Sequence, residues 1–271
     1  MLNKQLNGEL LMKLFNLICE FLAKLKQNPS QFRRSETEKE AEQISLETQR
    51  EKNFIICNGE QIPIEWDDVI LFDSPAGFSL PKNCYKKAKN ERVPTMFVSH
   101  WDACLSSKSC FNILKKRKLS VHFLIDNDGT IYQIMDCNDI GYHAGNSKVN
   151  ARSIGVEISN AYYPKYQDIY RSEGFGPRPT WSNVEVHGRT LDPFLGFYPW
   201  QEQAFQALAK ALHKVYDIPF ETPMKDNAAI TTVVPEVVAG TFKGIINHYH
   251  ITERKIDCAG FDLDEVLAEI S

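Results

Sequence analysis

The stretch HYHITERKIDC, residues 248–258, sets two imidazoles and a thiol close together in one run of chain. Imidazole nitrogen and thiolate sulfur are preferred ligands of Zn²⁺, and a hydrolytic zinc takes three protein ligands with a fourth position left for water. Two further histidines, His100 in FVSHWD and His122 in SVHFLI, also sit in apolar segments. One histidine from each of two strands, with Cys258 from the loop after the second, would complete such a set. Glu157 is the one carboxylate in the apolar run SIGVEIS. Alternation along a strand turns it away from Val156 and Ile158, and an unpaired carboxylate is expensive to bury. Beside a metal it becomes a proton acceptor for water. Each residue also has an ordinary reading alone: a satisfied histidine, an inert buried thiol, a glutamate at a sheet edge. It is the combination that points to a hydrolytic zinc centre.

These groups need a scaffold that brings distant segments together. TMFVSHW (95–101) and SIGVEIS (153–159) read as buried strands, and FKGIINHYHI (242–251) as a strand running into the opening motif. In that reading His248 and His250 share one strand face, and either could be the ligand. SVHFLIDNDGTIYQIM (120–135) is two strand-like runs joined by Asp-Asn-Asp-Gly, a hairpin signature. YPWQEQAFQALAKALHKVY (198–216) sets Phe205, Leu208, Leu212 and Val215 on one helical face, with Pro199 near its start. DLDEVLAEI (262–270) predicts a short C-terminal helix with Asp262 as its cap. Strands alternating with helices give an α/β class, a single mixed central sheet flanked by helices.

The catalytic domain is placed at 54–271, opening on FIICNGEQIPI with its Asn-Gly turn signal. Residues 1–53 read as an N-terminal helical arm and charged linker. Within the arm, Leu11, Leu14, Phe15, Ile18, Phe21, Leu22 and Leu25 recur at helical spacing. Residues 10–25 could therefore dock on the rest of the protein, self-associate, bind a partner such as a particle, or lie on a membrane surface. Lys13, Glu20 and Lys24 interrupt the run, so neither a membrane span nor a signal peptide is expected. That predicts synthesis in the cytoplasm. A net charge of -4 argues against nucleic acid as a partner. The 7 cysteines, with no CxxC among them, fit reduced thiols better than a disulfide framework.

The series MFVSHWDA, SVHFLIDNDGTIYQIMDCNDIGYHAGNS, NARSIGVEISN, FYPWQEQAFQALAKAL and INHYHITERKIDCAG resembles the zinc-dependent N-acetylmuramoyl-L-alanine amidases. That family includes the bacteriophage lysozyme-like amidases, the cytosolic anhydromuropeptide amidases and the peptidoglycan recognition proteins. The likeness spans roughly residues 93–271, in the family's order. It implies a Zn²⁺ cofactor held by His100, His248 and Cys258, with His248 preferred over His250 because GIIN before it fits the family's strand. It implies Glu157 as general base, and His143 in GYHAG, with Asn146 beside it and His122, as substrate-binding residues. The family often places a lysine two positions before the third ligand to stabilise the oxyanion. Ile256 stands there here, with Lys255 and Arg254 adjacent, and Lys255 is taken as the catalytic cation.

The implied reaction is hydrolysis of the amide between N-acetylmuramic acid and L-alanine in peptidoglycan or its muropeptides. Its setting would be a phage endolysin or particle-associated lysin acting on the wall after release. The alternatives are a cytosolic muropeptide-recycling amidase and a non-catalytic peptidoglycan-binding module of the same fold. Residues 160–197 read as an aromatic-rich insertion, either a wall of the substrate groove or a packed surface excursion.

Overall fold

The structure, a computed structural model, describes residues 53–270. The expected arm, including residues 10–25, lies outside them apart from Asn53.

A mixed six-stranded sheet runs through the molecule. Its strands are β1 (Val69–Leu71), β2 (Met96–Trp101), β3 (Phe123–Ile125), β4 (Ile131–Gln133), β5 (Ser153–Ile158) and β6 (Gly244–Asn247). Their order across the sheet is β6-β2-β5-β3-β4-β1. Strands β6, β2, β5 and β3 are mutually parallel; β3 and β4 form the expected hairpin, antiparallel; β4 and β1 are parallel. The helices are α1 (Ser107–Arg117), α2 (Ser147–Arg152), α3 (Gln167–Ser172), α4 (Pro199–Tyr216), α5 (Pro235–Ala239) and α6 (Leu263–Ala268). The predicted α/β class, one mixed central sheet with flanking helices, is what the chain forms.

Alternation divides the sheet into two faces. Phe97 of β2, Ile154, Val156 and Ile158 of β5 and Ile245 of β6 enter the main core with Phe205, Leu208 and Leu212 of α4. Pro199 takes the first turn of α4, where its missing N–H leaves no partner unsatisfied. Met96, Val98 and Ile246 join a second cluster with Ala144 and Val149 of the α2 region and Val237 of α5. Burying side chains of this size contributes roughly 1.5–3 kcal/mol each, which fixes the strand register on which the site depends.

Two local expectations change. The strand expected over 242–251 stops at Asn247, and His248–His250 form a 3₁₀ turn. Asp262 occupies the N-cap position of α6, but its side chain makes no capping hydrogen bond.

Residues 160–197 are anchored by a few buried side chains. Arg178 is buried between the rings of Tyr170 and Tyr198, 4.3 Å from each centroid. Its guanidinium donates to the carbonyls of Gly196 and Ser159 and to the side chains of Gln201 and Asn127. Trp181 lies over Gly196 and Gly260, where an added Cβ would come within 2.5 and 2.4 Å of its ring. Part of the aromatic load of this segment is spent on packing, while Tyr163 stays exposed. The six described cysteines are buried free thiols, and no described helix is long and apolar enough to cross a membrane.

Candidate active site

Three adjacent parallel strands carry the chemistry to one end of the sheet. In the β2–β5 register His100 stands opposite Glu157, and in the β6–β2 register Asn247 stands opposite Ser99. His248, the first residue after β6, therefore falls beside His100. Both belong to the face turned away from α4, as the alternation around Glu157 predicts.

His100 Nδ1 lies 2.8 Å from His248 Nδ1, and Asp257 Oδ2 lies 2.8 Å from His248 Nδ1 and 3.3 Å from His100 Nδ1. These three buried residues form a group able to hold a metal ion. The third member is Asp257, not the expected Cys258. Cys258 is fully buried in the main core, beside the hydroxyl of Ser99. Ser99 and His100 are neighbours on β2 and face opposite sides of the sheet, so the thiol is on the far side from the imidazoles. Burial and the nearby carboxylates Asp257 and Glu157 push the Cys258 thiol up.

The shift by one residue also brings a lysine into the expected spacing. Lys255 stands two positions before Asp257, and its Nζ is 3.9 Å from Asp257 Oδ1. The signal for Asp257 was in the sequence, a lysine two residues before an acid.

The two histidines of the opening motif separate because the turn is 3₁₀. Successive residues there rotate by roughly 120°, so residues two apart point apart. His248 meets His100. His250 turns the other way, with Nδ1 accepting from the Asn247 amide and Nε2 donating to the Ile230 carbonyl.

Electrostatics follow burial. Burial and the neighbouring His248 hold His100 down at about 4. For Asp257 burial alone would favour the neutral acid, but His248 and His100 hold it well below the usual carboxylate range. Glu157 goes the other way, raised well above normal by burial and by the charges of Asp102 and Asp257, with Lys255 opposing. Its Oε2 is buried with no hydrogen-bond partner among the described residues.

The remaining expected residues divide. His143 lines a cavity of about 510 Å³ together with His248, Lys255, Arg254 and Arg117, and its Nδ1 lies 3.0 Å from His100 Nε2. Asn146 also lines the cavity, but its side chain is committed elsewhere. Its Oδ1 accepts from the Lys148 and Val149 amides as the cap of α2, and its Nδ2 donates to the Val238 carbonyl. His122 is not a groove residue. It is fully buried, with Nδ1 accepting from the Gly155 amide and Nε2 donating to the Asp139 carbonyl. Asn150, which the sequence did not single out, holds the loop: its Oδ1 accepts from the His143 and Ala144 amides. No residue of 160–197 lines this cavity.

The model of the N-acetylmuramoyl-L-alanine amidase family matches residues 90–260. No curated protein matches. Among solved structures, the N-acetylmuramoyl-L-alanine amidase LysC from Clostridium intestinale is 20% identical, over 74% of this chain and 96% of that one, with a TM-score of 0.42. A selenomethionine AmpD derivative is 18% identical over 73% and 96%, with a TM-score of 0.41. A mutant endolysin from Bacillus subtilis is 19% identical over 75% and 99%, also at 0.41. Assignment rests on the family model instead, whose span takes in β2, β5, β6 and the Lys255–Asp257 loop. With well over half of its length matched, the chain belongs to the N-acetylmuramoyl-L-alanine amidases, enzymes that hydrolyse an amide bond of peptidoglycan.

Proposed function

We propose that the amidase is zinc-dependent, with His100, His248 and Asp257 as ligands, Glu157 as general base and Lys255 as the cation facing the oxyanion. The observation that carries this reading is the meeting of two imidazole Nδ1 atoms and one carboxylate oxygen, 2.8–3.3 Å apart, with the half-buried Glu157 opposite His100 on the next strand. Tetrahedral zinc with ligand bonds of 2.0–2.1 Å separates its ligand atoms by about 3.3 Å. The group fits the ion with a small expansion. When bound, zinc polarises a carbonyl and lowers the pKa of water from 15.7 toward ~7.

The protein's own groups carry the remaining steps. Glu157 takes the proton of the attacking water and returns it to the departing L-alanine nitrogen, so that the amine leaves neutral. Lys255 sets positive charge at the cavity wall, where the carbonyl oxygen gains negative charge. Arg117, Arg254 and Lys255 line the cavity and no acidic residue does. In a chain of net charge -4, that local excess suits the carboxylates of a peptide stem. The setting we favour is lytic, on the intact wall.

The test combines metal content with product. Asp257→Ala should lose its zinc by elemental analysis, whereas Cys258→Ser should keep it. Wild-type digests of walls should show new L-alanine amino termini with the glycan strands intact. New reducing sugar ends, or zinc lost only from Cys258→Ser, would overturn the reading. Equal rates on walls and on soluble anhydromuropeptides would count against the lytic setting.

A further inference from the structure

The residues behind His100 form a directed hydrogen-bond chain. Ser153 Oγ is 2.7 Å from the Val149 carbonyl oxygen, which can only accept, so the single hydroxyl proton is committed there. The same Oγ lies 3.2 Å from His143 Nε2 and must therefore accept from an N–H on that nitrogen. A neutral imidazole carries one N–H, which leaves a lone pair on His143 Nδ1. That lone pair faces His100 Nε2 at 3.0 Å, so the His100 proton sits on Nε2. His100 Nδ1 is then a bare lone pair directed at His248 and Asp257.

From this we propose that His143, with Ser153 behind it, is a positioning residue that fixes His100 in the tautomer able to donate Nδ1 to a metal. The inference rests on the reading of His100 as a ligand. Above about pH 7 an imidazole is ordinarily neutral, as the chain requires.

The surroundings are built around the His143 ring. An added Cβ on Gly155 would come within 2.8 Å of His143 Nδ1, so the missing side chain makes the space the ring occupies. Asn150 anchors the backbone of His143 and Ala144, and Asn146 caps the helix that leads to Ser153. The ring edges of His100 and His143 meet at an interplanar angle of 90°. Partners behind a metal ligand set its tautomer and orientation, and losing one typically costs 10–100-fold in metal affinity.

Two measurements test the proposal. Imidazole nitrogen–proton correlation spectra of the metal-free protein should show His100 and His143 both as the Nε2–H tautomer. Zinc affinity, read by competition with a chromophoric chelator, should fall about 10–100-fold in His143→Phe. In His143→Asn, whose Oδ1 can replace the Nδ1 acceptor, it should stay within a few-fold of wild type. Ser153→Ala should admit the Nδ1–H form of His143 and weaken zinc binding in the same direction. A wild-type His100 carrying its proton on Nδ1 would overturn the proposal even if no variant folded. So would wild-type affinity in His143→Phe while His100→Ala loses zinc. Zinc retained in His100→Ala would instead remove the ligand reading beneath it.

Discussion

At the scale of single residues, Glu157 divides hydrolysis from binding. It stands opposite His100 on the neighbouring strand, its Oε2 has no described partner, and burial raises its proton affinity. Glu157→Gln preserves shape and hydrogen-bonding reach but cannot take a proton. Steady-state hydrolysis should drop by about 10²–10⁴-fold, with zinc content near wild type. Loss of zinc along with activity would make Glu157 a metal-holding residue. Asp257 shows how finely position matters: one residue along the chain, Cys258 faces the core on the opposite side of the sheet. The two residues lie in a turn, where adjacent side chains diverge, so a shift of one position exchanges a polar cluster for the core.

At the scale of elements, short structures do the positioning. Helix α2 is only Ser147–Arg152, too short to stand alone, so its stability comes from its cap and its packing. Asn146 supplies the cap and ties the helix to Val238 through a second hydrogen bond. Asn146→Ala should lower unfolding free energy by about 1–2 kcal/mol in denaturant titration. KM for a muropeptide should hardly change, because the amide is already occupied within the protein. A large rise in KM with unchanged stability would restore Asn146 to substrate binding. The 3₁₀ turn at His248–His250 is the other small device, sending one histidine to the site and the other to the Ile230 carbonyl.

At the scale of the whole molecule, the central sheet holds buried neutral histidines, and their titration links stability to pH. Burial holds His122 at about 3, with Arg92 adding to the effect, and holds His250 at about 4. In the unfolded chain both titrate near 6.5. Above that pH neither state binds the proton, and their contribution to stability is complete. Below it the unfolded chain takes up protons the folded chain refuses. Each histidine then removes about 1.4 kcal/mol per pH unit until its folded value is reached. Asp102, pushed up to about 7 by burial, works in the opposite direction, so the informative comparison is wild type against His250→Gln. Urea unfolding of the metal-free proteins from pH 7.5 to 5 should give a shallower loss in the variant by about that slope. Parallel curves would mean that His250 is protonated in the fold.

The sequence by itself determined most of the elements and which segments carry the polar residues. Apolar alternation located β2 and β5 and turned Glu157 away from Val156 and Ile158. The Asp-Asn-Asp-Gly turn gave the β3–β4 hairpin, and helical spacing gave α4. His100 and the His-Tyr-His motif stood out as polar residues at the ends of apolar segments, whereas the choice of His248 over His250 and of Lys255 came from the family resemblance. Tertiary structure decided what depends on direction in space. Asp257 rather than Cys258 joins the histidines because the loop after the 3₁₀ turn brings its carboxylate to the site and buries the thiol behind Ser99. His122 became a core residue because the Gly155 amide and Asp139 carbonyl occupy both its nitrogens. Spacing along a chain specifies which residues can meet, but the facing of a side chain in irregular backbone is set by packing that only the assembled sheet supplies.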